Sequence, residues 1–100
     1  LPSNTVLCSN DRLAIGFLSA AYENGLRVGH GPGSALRVAG HDDHPFSRYT
    51  CPSLTTVSQD YEAIAARSVE TILDLIETDH DGSAREVTLF DGKLIMRGSA

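Results

Sequence analysis

The chain lacks the features that most often announce a function. Its eight Lys and Arg are scattered and form no block, and thirteen Asp and Glu leave a net charge of −5. Phosphate backbones are gripped by clustered cations, so this stretch by itself is a poor nucleic-acid binder, and any DNA contact would belong to other parts of a longer protein. No apolar run is long enough to span a membrane. The opening residues, Leu1 to Cys8, carry neither an initiator Met nor a basic leader and run almost directly into an apolar strand. They read as the start of a fragment. The two cysteines, Cys8 and Cys51, lie far apart and fit no CxxC pattern; they read as reduced thiols rather than a disulfide. GxSxG, HExxH and a nucleophile beside a base are all missing, as are repeats and low-complexity tracts. What remains is 100 residues, 41% apolar, enough for one domain or part of one.

The order of elements is legible. "TVLCSND" is a strand running into residues that accept hydrogen bonds at a helix start: Ser9, Asn10 and Asp11. The helix "DRLAIGFLSAAYEN" should stop at Gly25. Its apolar positions, Leu13, Ala14, Ile15, Phe17, Leu18, Ala21 and Tyr22, go most of the way round, so one face should meet a sheet and another needs a partner. After the Gly/Pro loop "GHGPGS", "ALRVAG" supplies a second strand that ends at Gly40. Strand, helix and strand make a βαβ unit with parallel strands. Residues 41–57 read as a long irregular segment holding Pro45 and Pro52. Asp60 caps a second helix, "YEAIAARSVETILDLIE", with one apolar stripe through Tyr61, Ile64, Val69, Ile72, Leu73 and Ile76. "TDHDGSAR" is a polar loop, and Asp91-Gly92 between two apolar runs is a local hairpin signal.

Polar residues gather where this topology puts a binding site. Asn10 and Asp11 follow the first strand, and His41, Asp42 and Asp43 follow the second. In a parallel sheet both carboxyl ends lie on one edge, where open α/β sheets bind ligands. Three chemistries compete. A metal site, or a metal-dependent hydrolase, would use His41, Asp42, Asp43 and His44, but the spacing lacks a second His cluster, since His30 and His80 sit in polar loops. Acid–base catalysis needs two groups at a defined separation, whereas adjacent Asp42 and Asp43 point apart in an extended segment. A pocket of carboxylates and an amide suits a polyhydroxylated ligand. On chemistry alone this stands even with the plain reading that Asn10 only caps a helix and one Asp only shapes a loop. "GHGPG" leads into a strand rather than a helix, so it reads as a poor phosphate loop.

The segments "CSNDRLAIGFLSAAYENGLRV", "RVAGHDDHPFSRYTCPSLTTVSQDYEAI" and "LIMRGS", in that order and spacing, resemble the LacI/GalR family of bacterial transcription regulators over nearly the whole chain. The resemblance implies an α/β, parallel-sheet, periplasmic-binding-protein-like (type I) fold, with this chain a fragment of a two-lobed domain. Residues 1–58 would form part of the C-terminal lobe, 59–85 the hinge crossing and a helix of the N-terminal lobe, and 86–100 the return crossing and terminal strand. The tail would then cross between lobes rather than fold as a hairpin. Carried over by position, Asn10, His41, Asp42, Gln59, Tyr61 and Ile64 would bind the effector, while Asp43 and His44 would shape the loop. Ile15, Leu18, Phe46, Tyr49 and Thr50 would lie in a homodimer interface.

The resemblance further implies a non-enzymatic, cytoplasmic sensor without metal or cofactor. Its effector would be a small molecule, a carbohydrate or sugar derivative, and DNA would be bound only through a helix-turn-helix outside this stretch, with no membrane partner. A periplasmic sugar-binding receptor of the same fold is the alternative; "PSLTTVSQDYEAI" favours the regulator. The sequence departs from the family at "GLRVGHGPGSALRV", which lacks the usual Pro and carries about four extra residues, and at His41, where an aromatic residue is common.

Overall fold

The computed structural model describes residues 4–78 and 87–100. The expected polar loop over 78–85 lies almost wholly outside the described residues, as does His80. The chain divides into two compact units, one running to Ser58 and resuming over Lys93–Ala100, the other running from Gln59 to Gly92.

The first unit is built on the expected βαβ motif. Strand β1 (Thr5–Leu7) leads into helix α1 (Asp11–Glu23), and strand β2 (Arg37–Ala39) returns parallel to β1 with Val6 opposite Val38. Asn10 caps α1, its Oδ1 accepting the Leu13 N–H at 2.9 Å. At the other end Gly25 takes φ 70°, so the Leu26 N–H reaches Ala21 O and the Gly25 N–H reaches Tyr22 O. This pair of bonds is the Schellman termination, and it needs the left-handed residue that glycine supplies without strain.

The core is small. Ala14 and Leu18 of α1 pack with Val38 and Leu54, flanked by half-buried Cys8, Ile15, Phe17 and Val28. Leu18 was expected at a subunit interface. It is instead 7% exposed inside this core, because the i, i+4, i+7 stripe Ala14, Leu18, Ala21 is the face α1 turns inward. Burial pushes the Cys8 thiol pKa up, whereas Cys51 is exposed, and both are free.

Residues 41–57 are more ordered than the two prolines suggested. Ser47–Tyr49 forms a 3-10 turn, and strand β3 (Thr56–Ser58) follows it. The Gly40 N–H donates to Thr55 O and the Asp42 N–H to Val57 O, so the 55–57 run lies parallel beside the end of β2. Strand β4 (Lys93–Ile95) pairs antiparallel with β3. The partner of β4 is therefore not the run before Asp91-Gly92: residues 87–92 hold no regular structure, and the local hairpin signal is not used.

Beyond β4 the chain is anchored. Ser99 is fully buried; its Oγ donates to Val38 O and accepts the Thr55 N–H, and its own carbonyl accepts the Val38 N–H. One residue thus ties the tail to β2 and to the stretch before β3.

The second unit is dominated by helix α2 (Tyr61–Thr78). Asp60 caps it, Oδ1 accepting the Ala63 N–H at 3.1 Å. None of its residues is fully buried, and Val69, Ile72, Leu73 and Ile76 are all more than half exposed. The apolar stripe forms as the periodicity demands but has no cover among the described residues.

Candidate functional site

The residues that follow β1 and β2 meet. The Asp11 N–H donates to His41 O at 2.9 Å, which joins the start of α1 to the loop after β2. Asn10 and the His41-Asp42 pair therefore share the carboxyl edge of the parallel strands, and the end of β3 joins them through the Asp42 N–H. His41 Nδ1 lies 2.9 Å from Asp42 Oδ1 as an N–H donor, and both side chains stay nearly half exposed, at 42% and 46%. A carboxylate oriented by an imidazole and open to solvent is a ready acceptor for ligand hydroxyls. The Asn10 Oδ1 is occupied by its cap.

The backbone under this pair is unusual. Asp42 has φ 108° and Asp43 φ 51°, a left-handed stretch that non-glycine residues adopt only when their surroundings hold them there. Two sets of contacts do so. Asp43 turns away from Asp42 and accepts from Arg97 Nη2 at 3.0 Å, while Arg97 Nη1 donates to Leu54 O. The Asp43 N–H donates to Thr56 Oγ1. His44 turns elsewhere again, its Nδ1 accepting the Phe46 N–H. The four adjacent residues 41–44 thus divide among separate partners. Among the described residues, no three or more His, Cys, Asp and Glu side chains converge in a way that could hold a metal ion.

Sequence reasoning placed Asp11 at this edge as a cap but missed that it organises the edge. Asp11 is 1% exposed. Its Oδ1 accepts from Thr56 Oγ1 at 2.6 Å, and its Oδ2 from Ser47 Oγ at 2.6 Å and from the His44 N–H at 2.7 Å. Short bonds to an ionised acceptor are the strong kind, and without them a buried carboxylate would be costly. Gly40 makes room for it, since a Cβ there would collide with the Asp11 carboxylate and sit 3.3 Å from the Ala14 Cβ. The signal available in the sequence was slight: an Asp beside a capping Asn looks like a second cap.

Gln59, Tyr61 and Ile64 belong to the second unit, at and just before the first turn of α2. Of the residues expected at a dimer interface, Phe46 and Tyr49 are 66% and 75% exposed, and Ile15 and Thr50 are partly buried. A hollow of about 330 Å³ is lined by Leu18, Tyr22, Leu26, Arg27, Cys51 and Pro52 among others.

The whole chain, residues 1–100, matches the family model of the periplasmic binding protein-like domain. The chain belongs to that family, on its LacI-type branch. It is 34% identical over 98 residues to the HTH-type transcriptional repressor CytR of Escherichia coli, covering 98% of this chain and 27% of that protein. Among solved structures it resembles the lac repressor dimer bound to operator and the anti-inducer ONPF. The TM-score there is 0.79 at 31% identity, over 96% of this chain and 31% of the other. A LacI family regulator from Lactobacillus casei with bound glucose matches with a TM-score of 0.74 at 26% identity, over 97% and 32%. The chain therefore spans about a quarter of the length of the curated repressor it matches.

For a LacI-type chain the two departures noted above acquire places. His41 partners Asp42, and the glycine-rich 29–34 loop lies before β2, at the opposite end of that strand from Asp42.

Proposed function

We propose that this chain is the effector-sensing part of a LacI-type transcription regulator. The ligand, a sugar or sugar derivative, binds in a cleft between two lobes and changes operator affinity. Residues 1–58 belong to the C-terminal lobe; the chain crosses at Ser58-Gln59, gives α2 to the N-terminal lobe, and returns through the tail. Asn10, His41 and Asp42 hold the ligand from one lobe, and Gln59, Tyr61 and Ile64 do so from the other. Two such chains pair through Ile15, Phe46, Tyr49 and Thr50, and the regulator works in the cytoplasm. Ligand binding biases the lobes between two arrangements and so sets the spacing of the paired DNA-binding heads. No catalytic step is assigned to any residue.

One observation carries the reading. The Asp11 N–H to His41 O bond brings Asn10 to the His41-Asp42 pair at the carboxyl edge of parallel strands, and that edge is where this class of sheet binds small molecules. The glucose bound to the Lactobacillus casei neighbour supports a sugar as the ligand class.

Calorimetric titration of the full-length regulator with a panel of sugars and sugar derivatives tests this. One of them should bind and alter operator affinity, and Asp42→Ala should weaken that binding by about 1–3 kcal/mol, the loss of one or two hydrogen bonds to a charged acceptor. Unchanged affinity would remove Asp42 from the site. An operator complex that no member of the panel perturbs would remove the sugar assignment.

A further inference from the structure

Two arginines and a histidine flank or occupy the glycine-rich turn before β2. Arg27 precedes it, His30 lies within it, and Arg37 follows it. The backbone pins the turn: the Ala35 and Leu36 N–H groups both donate to Arg27 O, the Gly29 N–H to Leu36 O, and the Ser34 N–H to Gly31 O. Gly33 has φ 83°, and the Arg27 guanidinium lies against it, with Nη1 3.5 Å from where a Cβ would stand.

His30 and Arg37 line two hollows at once. The smaller, about 110 Å³, is completed by Asn4, Gly31 and Ser34 among others. The wider one, about 590 Å³, opens toward Met96, Arg97 and Ala100. Among the described residues no Asp or Glu lines either hollow. Arg97 is already paired with Asp43. Among the described residues, the side chains of Arg27, His30 and Arg37 have no hydrogen bond or ion pair.

We propose that this turn is an oxyanion site that takes a single phosphate group, held by Arg37 and His30 in the smaller hollow, with Arg27 adding charge at its flank. A guanidinium offers a planar fork of donors that matches two oxygens of one phosphate, and the Asn4 amide and Ser34 hydroxyl can supply further donors. The smaller hollow, about 110 Å³, has room for one tetrahedral oxyanion between the Arg37 and His30 side chains. Recognition comes from side chains around a closed turn, so the lack of a following helix does not count against it. Asn4 and Arg37 stand at the amino ends of β1 and β2, whereas Asn10 and Asp42 follow the carboxyl ends. The two sites are separate, and this one does not depend on the sugar assignment.

Inorganic phosphate titrated calorimetrically into the full-length protein at physiological ionic strength is the test. Saturable binding at one site per chain is the expected result, weakened about tenfold or more in Arg37→Ala and in His30→Ala. Arg37→Lys should recover only part of the loss, because an ammonium keeps the charge without the fork. Arg67→Ala, which removes an exposed arginine of α2 that pairs with Glu70, should bind phosphate as the parent does. Heat that grows linearly without saturation, or an Arg37→Ala variant that binds like the parent, would overturn the site. An equal loss in Arg67→Ala would mean that only general charge is read.

Discussion

The Asp11 carboxylate accepts the Thr56 hydroxyl at 2.6 Å, a contact between residues 45 apart in the chain. Through Ser47 and the His44 N–H the same carboxylate also holds the 44–47 segment. Asp11→Ala would strip three donors of their shared acceptor in a place where Ser47 and Thr56 are fully buried. The expected loss is about 3 kcal/mol of unfolding free energy, read from urea denaturation at fixed protein concentration. Asp11→Asn keeps one acceptor oxygen and should lose less. An Asp11→Ala variant that unfolds at the parent's urea midpoint would show that the network is not holding this edge together.

Much of this edge was legible in the sequence, and the part that was not has a physical reason. The βαβ order, the Asn10 cap, the Gly25 stop and the α2 stripe all follow from local rules, because each depends on neighbours within about one helical turn or on a period. The roles of Asp11, Ser47, Thr56 and Arg97 were missed for the opposite reason. Their partners lie 36 to 54 residues away, and no spacing rule connects a buried carboxylate to hydroxyls that distant. Strand β3 was hidden because it follows Pro45 and Pro52 and its pairing partner is the distant β4. The Asp91-Gly92 turn signal was real but local, and the long-range pairing of β4 with β3 overrode it.

Gly40 tests the packing around that carboxylate without touching it. Its missing Cβ is the space the Asp11 side chain occupies. Gly40→Ala should cost about 1–3 kcal/mol through overpacking, although alanine usually stabilises a chain at backbone positions that tolerate it. Thermal denaturation of Gly40→Ala beside Gly16→Ala separates the two effects, because a Cβ at Gly16 meets nothing within 4 Å. Equal melting temperatures for the two variants would refute the close approach.

Arg97 and Asp43 form an ion pair at 3.0 Å with only 14% and 22% of their side chains exposed. Arg97 also donates to Leu54 O, so it braces the left-handed residues beneath Asp42. A double-mutant cycle of Arg97→Ala and Asp43→Ala should give a coupling energy of about 1–2 kcal/mol, above the usual worth of a surface pair. Asp43→Gly should behave differently from Asp43→Ala, since glycine accepts φ 51° without strain. Additive effects in the cycle would mean that the pair is incidental.

The 100-residue chain expressed alone carries two uncovered apolar surfaces. Val69, Ile72, Leu73 and Ile76 form one stripe along α2, at 56, 58, 52 and 71% exposure, and Phe46 and Tyr49 belong to the first unit, at 66 and 75%. Apolar surface gathered in this way is seldom left to water in a stable monomer. Sedimentation velocity over a range of concentrations should therefore show association. Ile72→Glu with Ile76→Glu should reduce it if α2 supplies the contact, and Tyr49→Glu should reduce it if the first unit does. In the full-length protein the two changes part company. On the proposed lobe and interface assignment the α2 stripe is covered there, so Tyr49→Glu should weaken dimerisation while the α2 double variant should instead destabilise the fold. A monodisperse 100-residue monomer at every concentration would show that neither surface needs a partner.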